Sequence, residues 1–296
     1  MKRRRITKIK ERAVEMGLLL SALSSIFITL SIVFILFYEA FGFFKDVSIL
    51  EFLTGKQWTP LFAQPKFGIL PLVTGTLLVT AIAVIVALPV GLIVAVYLSE
   101  YAPFKVKEIA KPILELLAAV PTVVYGYFAL LFLTPILQKF ITDLSGFNAL
   151  SPGIIMGIMI IPYVSSVSED SMKAVPMHIR EGSYAMGATK FQTAFKVVIP
   201  AAFSGIAAAF IIGISRAIGE TMVVAIAAGM MPNLTLNPIE PIQTLTAYIV
   251  GISLGDVPHG TIEYKTIFAA GITLFLMTLF LNILGFWFRR RIREVY

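Results

Sequence analysis

Long apolar runs dominate this sequence and leave it few folds to choose from. Six segments reach or approach the roughly 20 apolar residues that a membrane-crossing helix needs. They are 17–38, 70–98, 113–137, 152–168, 200–231 and 266–288. The fourth is short and turns polar at its end, while the fifth is long enough to be broken or to extend past the membrane. Composition agrees with the runs. Of 296 residues, 58% are apolar and 14% charged, against about 25% charged in a soluble domain. The expected fold class is all-α, a polytopic membrane protein with six transmembrane helices. No segment outside the spans is large enough to carry a core of its own, and no internal repeat stands out. The absence of cysteine excludes disulfides, thiol chemistry and Cys-ligated metals.

The opening, M-K-R-R-R-I-T-K-I-K-E-R, could begin a signal peptide. The apolar run behind it is about 21 residues, longer than the 7–15 of a signal core, and no small-residue cleavage site follows. It reads as an uncleaved first span. Loop charges then set the orientation. Seven Lys and Arg precede the first span, three lie in 99–112, four in 169–199 and four after the last span. Residues 39–69, 138–151 and 232–265 carry three, one and one. The positive-inside rule puts both termini in the cytoplasm and these three loops outside. The net charge of +7 therefore marks membrane edges and not a nucleic-acid surface. The chain divides into a basic cytoplasmic segment 1–16, a first helix and outer loop 17–69, a core 70–288 and a basic cytoplasmic tail 289–296.

Two features sit oddly in this plan. The first is the pair Arg216 and Glu220 in S-R-A-I-G-E-T, inside the apolar fifth segment. A charge at that depth costs at least about 2.5–3.5 kcal/mol, so it must face protein, water or a partner. Spacing of four puts both on one face of a helix. Two readings stay open. They neutralise each other and hold the helix in its bundle, or Arg216 offers its planar fork of donors to a passing tetrahedral anion while Glu220 holds it. Glu220 could also accept the proton of hydrogen phosphate. Thr76 and Thr80, Thr122 and Tyr125 behind Pro121, and Ser165, Ser166 and Ser168 are weaker pathway candidates. Intramembrane Ser and Thr more often bond a neighbouring helix.

The second feature is the cytoplasmic loop 169–200, too long for a mere connector. Pro176 can start a helix, 179–186 continue it, and Gly187 permits a sharp turn because glycine tolerates positive φ. A second helix from Thr189 leads into the fifth span. On physics alone this is as well an amphipathic hairpin lying on the bilayer.

The spacing Glu181-Gly182-Ser183, three residues, Gly187, nine residues, then Val197-Val198-Ile199-Pro200 resembles the EAA loop of ABC importer membrane subunits. F-G-I-L-P-L-V-T-G-T-L (67–77), L-L-A-A-V-P-T-V-V-Y-G (116–126) and R-A-I-G-E-T-M-V-V (216–224) resemble the phosphate-importer permeases. The W-T-P before F-G-I, and M-V-V after G-E-T, favour the PstC-type subunit over its PstA-type partner. The resemblance implies a type I ABC permease core over 70–288. Glu181, Gly182, Ser183, Gly187 and Pro200 would then form a coupling helix that docks on a cytoplasmic ATPase. It also implies that Arg216 and Glu220 take part in transport. The expected partners are a PstA-type permease, a PstB-type ATPase dimer that carries the ATP and Mg, and an extracytoplasmic PstS-type phosphate-binding protein, all at the cell (inner) membrane. No cofactor is expected on this chain.

Enzymatic readings fare worse. No G-x-x-x-x-G-K-[ST] is present, so the chain is expected not to hydrolyse ATP. His178 and His259 fall on opposite sides of the expected topology, which removes a two-His metal site or a Ser-His hydrolase. An ATP-independent channel remains an alternative, although nothing resembles a carbonyl-lined filter. So does a permease for sulfate, molybdate or phosphonate, since such importers share the loop.

Overall fold

A computed structural model describes residues 2–292, with side chains from 10 to 287. The basic tail 289–296 and residues 1–9 of the basic opening lie outside the described side chains. The helices are α1 (Lys2–Phe44), α2 (Ile49–Thr54), α3 (Leu70–Val96), α4 (Phe104–Ala119), α5 (Thr122–Phe128), α6 (Thr134–Gln138) and α7 (Leu150–Lys173). They continue as α8 (Met177–Ala185), α9 (Lys190–Thr193), α10 (Ile199–Ala201), α11 (Phe203–Ile218), α12 (Met222–Ala227), α13 (Leu245–Ser253) and α14 (Ile262–Ile292). Widened π-turns join α5 to α6 and α9 to α10, and another closes α3 at Tyr97–Tyr101. No strand forms among the described residues.

Four helices are long and apolar enough to cross a membrane: Lys10–Phe44, Leu70–Tyr101, Leu150–Lys173 and Ile262–Trp287. Two bent pairs of helices are also apolar enough, as broken spans or re-entrant loops: Phe104–Ala119 with Thr122–Gln138 at 88° and Lys190–Ala201 with Phe203–Ile218 at 72°. Counting each pair once gives the six expected spans. Their boundaries differ from the sequence reading in three places. The third span is not a straight helix over 113–137. Val120 is extended (ψ 130°) before Pro121, as a residue preceding proline prefers, and 104–119 form a separate amphipathic helix. The fourth is no short span ending at 168 but a 24-residue helix. The fifth does not run from 200 to 231, because α11 stops at Ile218 and Gly219 caps it.

The centre of the bundle is α7 packed against α3. A Cβ added to Gly153 would lie 2.7 Å from Ile82 Cγ2, and one on Gly157 would lie 2.7 Å from Val86 Cβ and 2.9 Å from the Ala83 carbonyl. From the other side, a Cβ on Gly91 would lie 2.7 Å from Val164 Cγ1. Gly153 and Gly157 form a G-x-x-x-G pair, the spacing that lets two membrane helices bring their backbones together. α11 also packs on this pair, through Gly213 against Val164 and Ile160.

A second core lies at the end of the bundle opposite α8. There Phe43, Phe52, Trp58, Phe67 and Tyr248 meet edge to face. It includes α13, a largely buried helix inside the segment 232–265 that the loop charges place outside. α1 packs against α14, with Phe37 edge to face on Phe275; its residues 10–30 are exposed.

The close approach of α3 and α7 generates a test. Gly157→Leu must displace the Ala83 carbonyl, which is backbone and cannot rotate away, and should destabilise the protein by about 1–3 kcal/mol or more. Thermal unfolding in detergent measures this. Gly146→Leu, where a Cβ meets nothing within 4 Å, should leave the midpoint unchanged.

Candidate functional site

Arg216 and Glu220 do not form the ion pair that their spacing allows. The helix ends between them at Gly219, so the four-residue spacing no longer puts them on one face. Each charge instead sits at the helix end that favours it. Arg216 lies in the last turn of α11, where the dipole is negative, and Glu220 stands just before α12, where it is positive. The Glu220 carboxylate Oε1 accepts the N–H groups of Met222 at 3.1 Å and Val223 at 3.4 Å. Thr246 on α13 donates to the Glu220 carbonyl at 2.6 Å. Glu220 thus closes the break, and at 9% exposure it is nearly buried in doing so.

Arg216 turns the other way, onto α7. Its guanidinium carbon stands 4.1 Å from the Tyr163 ring centroid, a cation–π distance. No carboxylate pairs with it among the described residues, and its Nε is buried without a hydrogen-bond partner. A guanidinium with donors to spare on an aromatic platform can receive an oxyanion. Tyr163 was not singled out in the sequence. The Y-V-S-S run at 163–166 puts an aromatic next to the serines that were, which is the signal that could have found it.

The same tyrosine closes the α4 end. Tyr163 Oη donates to the Ala118 carbonyl at 3.4 Å, and Tyr125 Oη to the Leu117 carbonyl at 2.7 Å. These carbonyls are freed where the chain bends at Pro121. Tyr163 also lines a cleft of about 430 Å³ between α4 and α7, with Lys111, Ser166, Glu169 and Asp170 on its walls. Glu169 is 1% exposed and holds Lys111 at 3.0 Å and Lys173 at 2.5 Å. It fastens α4 to α7, a role the sequence reading missed because Glu169 opened the cytoplasmic loop there.

The other candidates separate. Thr76 is buried and fully engaged, donating to the Leu72 carbonyl at 2.7 Å and accepting the Leu245 N–H at 3.0 Å. It ties α3 to α13. Thr80 Oγ1 and Ser168 Oγ are buried without partners. Ser165 donates to the Pro162 carbonyl at 3.1 Å, Ser166 is exposed at the cleft, and Thr122 is half-buried at the start of α5.

The loop 169–200 forms the expected helix–turn–helix. Pro176 precedes α8, Gly187 turns with φ +83°, and Thr189 with Gln192 forms a capping box at α9. Ser183 and Thr193 hydroxyls meet at 2.9 Å, joining the two helices. Glu181 and Gly182 face outward, and a Cβ at Gly182 or Gly187 would meet nothing within 4 Å. Around them Met177, Met186 and Phe191 are 61%, 89% and 60% exposed. Glu181 makes no hydrogen bond or ion pair among the described residues and does not cap the turn at Gly187, which closes through its own backbone to the Tyr184 carbonyl.

Comparison with known proteins agrees with this architecture. Residues 87–294 match the family described as binding-protein-dependent transport system inner membrane component. A probable ABC transporter permease protein, YqgH of Bacillus subtilis (strain 168), is 36% identical over 248 residues, covering 83% of this chain and 80% of that protein. A probable phosphate transport system permease protein PstC of Methanocaldococcus jannaschii is 31% identical over 294 residues, covering 89% and 91%. Among solved structures, a chain of a bacterial alginate ABC transporter, in complex with its alginate pentasaccharide-bound periplasmic protein, superposes with TM-score 0.60 at 17% identity, covering 92% of this chain and 95% of that one. A chain of the inward-facing MetNI methionine ABC transporter gives 0.58 at 18%, covering 75% and 96%. The family match over residues 87–294 and the likeness to PstC permeases assign the chain: it is a member of the binding-protein-dependent transport inner-membrane component family, a PstC-type permease with the type I ABC importer fold.

Proposed function

We propose that the chain imports inorganic phosphate as one half of a heterodimeric, ATP-driven permease. The observation that carries this is Arg216. It is the one charge inside the apolar fifth segment that no carboxylate neutralises among the described residues, and its guanidinium carbon lies 4.1 Å from the Tyr163 ring centroid. A bidentate fork suits a tetrahedral oxyanion. Glu220 acts by fixing the break after α11, which sets where Arg216 ends. Sequence likeness to phosphate permeases favours phosphate over sulfate, molybdate or phosphonate.

In this reading 1–16 and 289–296 are cytoplasmic, α1 is an addition to the permease core over 70–288, and the protein resides in the cell membrane. A PstA-type permease completes the pathway and a PstS-type protein delivers phosphate from outside. A PstB-type ATPase dimer, which carries ATP and Mg, docks on α8. Glu181, Gly182, Ser183, Gly187 and Pro200 belong to that docking: Glu181 and the exposed methionines meet the ATPase, Ser183 braces α8 on α9, and Gly187 and Pro200 set the bends on either side.

Three measurements follow from these assignments. Arg216→Gln should abolish phosphate uptake while the complex still assembles, and Arg216→Lys should be nearly as poor because a point charge cannot reproduce the fork. Since the two charges are not paired, adding Glu220→Gln to Arg216→Gln should restore nothing. Recovered uptake in the double variant would mean an ion pair and remove the substrate role.

Tyr163→Leu should raise the KM for phosphate by about 2–30-fold, the range a cation–π contact supplies. Tyr163→Phe, which keeps the ring, should stay near the unmodified value.

Gly187→Val should impair ATP-driven uptake. Its cost is backbone strain at positive φ, about 1–2 kcal/mol, since the space around it is open. Membrane insertion should be normal, and co-purification of the ATPase should fall. Unaltered uptake by Gly187→Val combined with Glu181→Ala would rule the coupling role out.

A further inference from the structure

α8 has a second, inward side that the docking surface does not use. Arg180, one residue before the exposed Glu181, is buried at 9% exposure. Its Nη2 donates to Glu100 Oε1 at 3.1 Å and to the Met172 carbonyl at 2.8 Å, and its Nη1 donates to the Val175 carbonyl. Glu100 lies in the π-turn that ends α3, and its Oε1 also accepts the Ser99 hydroxyl at 2.8 Å. The side chains of the pair are 11% and 6% exposed. A single guanidinium therefore joins three elements: α8, the C-terminal end of α7 with the turn that follows it, and the end of α3. Lys190 on α9 adds a second link to the same turn, 5.1 Å above the Tyr101 ring. Ile179 of α8 packs into a small core built from Ala95, Val96, Met172, Val175 and Val198.

A buried ion pair is a poor way to add stability, because desolvation cancels most of the attraction and apolar residues of like volume do as well. What it adds is direction. The planar fork bonds only when α3, α7 and α8 hold one mutual orientation. α3 and α7 are in turn locked along their length by the Gly91, Gly153 and Gly157 contacts, and α7 carries the Tyr163 on which Arg216 rests.

We infer that Arg180 and Glu100 form the strut through which movement of α8 is delivered to α3 and α7. They are positioning residues for transport, acting through the helices and touching neither phosphate nor the ATPase. The inference rests on the importer reading above. It separates two properties of α8: its outer face engages the ATPase, and its inner face makes the permease follow. Breaking the strut should therefore leave the ATPase bound and turning over but poorly harnessed.

The test uses the complete transporter in proteoliposomes, with both permeases, the ATPase and the phosphate-binding protein. Inorganic phosphate uptake and ATP hydrolysis are measured in the same vesicles. Glu100→Gln should still assemble and hydrolyse ATP, with phosphate moved per ATP reduced about tenfold, within the range of a coupling free energy between sites. Arg180→Lys retains the charge but not the three-way fork, guards against a failure of the first variant to assemble, and should show the same loss. The apolar pair Glu100→Met with Arg180→Met should likewise assemble without recovering the ratio. An unchanged ratio in the single variants overturns the strut, including the case where uptake and hydrolysis fall together because less complex forms. So does a ratio restored by the apolar pair, which would make the contact mere packing. The unmodified complex separates this failure from failure of the parent reading. No ATP-dependent phosphate uptake there overturns both, whereas normal uptake there with an unchanged ratio in the variants overturns the strut alone.

Discussion

A chain in an apolar medium has no water to satisfy a broken helix, so every interruption must be closed by the protein itself. This bundle is interrupted repeatedly, and its polar side chains are placed accordingly. The bend at Pro121 frees carbonyls that Tyr125 and Tyr163 cover. The break at Gly219 exposes amides that Glu220 accepts. The start of α13 presents the Leu245 N–H to Thr76, and its next residue, Thr246, donates back to the Glu220 carbonyl. Helix ends are thus bound to neighbouring helices, and the broken segments are held by the same bonds that make breaking them affordable.

The charges at the fifth segment follow from that constraint. A continuous helix would have set Arg216 and Glu220 side by side and cancelled them. The break gives each its own helix end, with the dipole supplying part of the compensation. Glu220 is absorbed into α12. Arg216 is left with an aromatic face and a buried Nε that has no hydrogen-bond partner.

At the α8 end the logic is mechanical. Two ion-pair clusters fasten it, Glu100 with Arg180 and Glu169 with Lys111 and Lys173. The first binds the ends of α3, α7 and α8; the second binds α4 to α7. Glycines on the α3–α7 face let the two backbones come close together. The cleft lined by Tyr163 lies between the fastened α4 and α7, and the same Tyr163 carries the Arg216 guanidinium on its ring.

Much of this was legible in the chain. Apolar length pointed to the helical class and to the four to six candidate crossings, since a single segment spanning lipid satisfies its own backbone only as a helix. The loop with Glu181 and Gly187 was readable because a glycine at positive φ between two helix-forming stretches leaves a local mark. Periodicity could not locate the bends, because Pro121 and Gly219 permit a break but only neighbouring side chains able to close it decide that one occurs. Nor could it tell which polar residues face a pathway. Thr76 and Tyr125 bond backbone groups of other helices, while Tyr163, Glu169, Arg180 and Glu100 look like ordinary span and loop residues in the sequence. Their roles depend on partners from 45 to 80 residues away in the chain. Local composition determines whether a segment can live in lipid; which donor meets which acceptor is set only when the helices have packed.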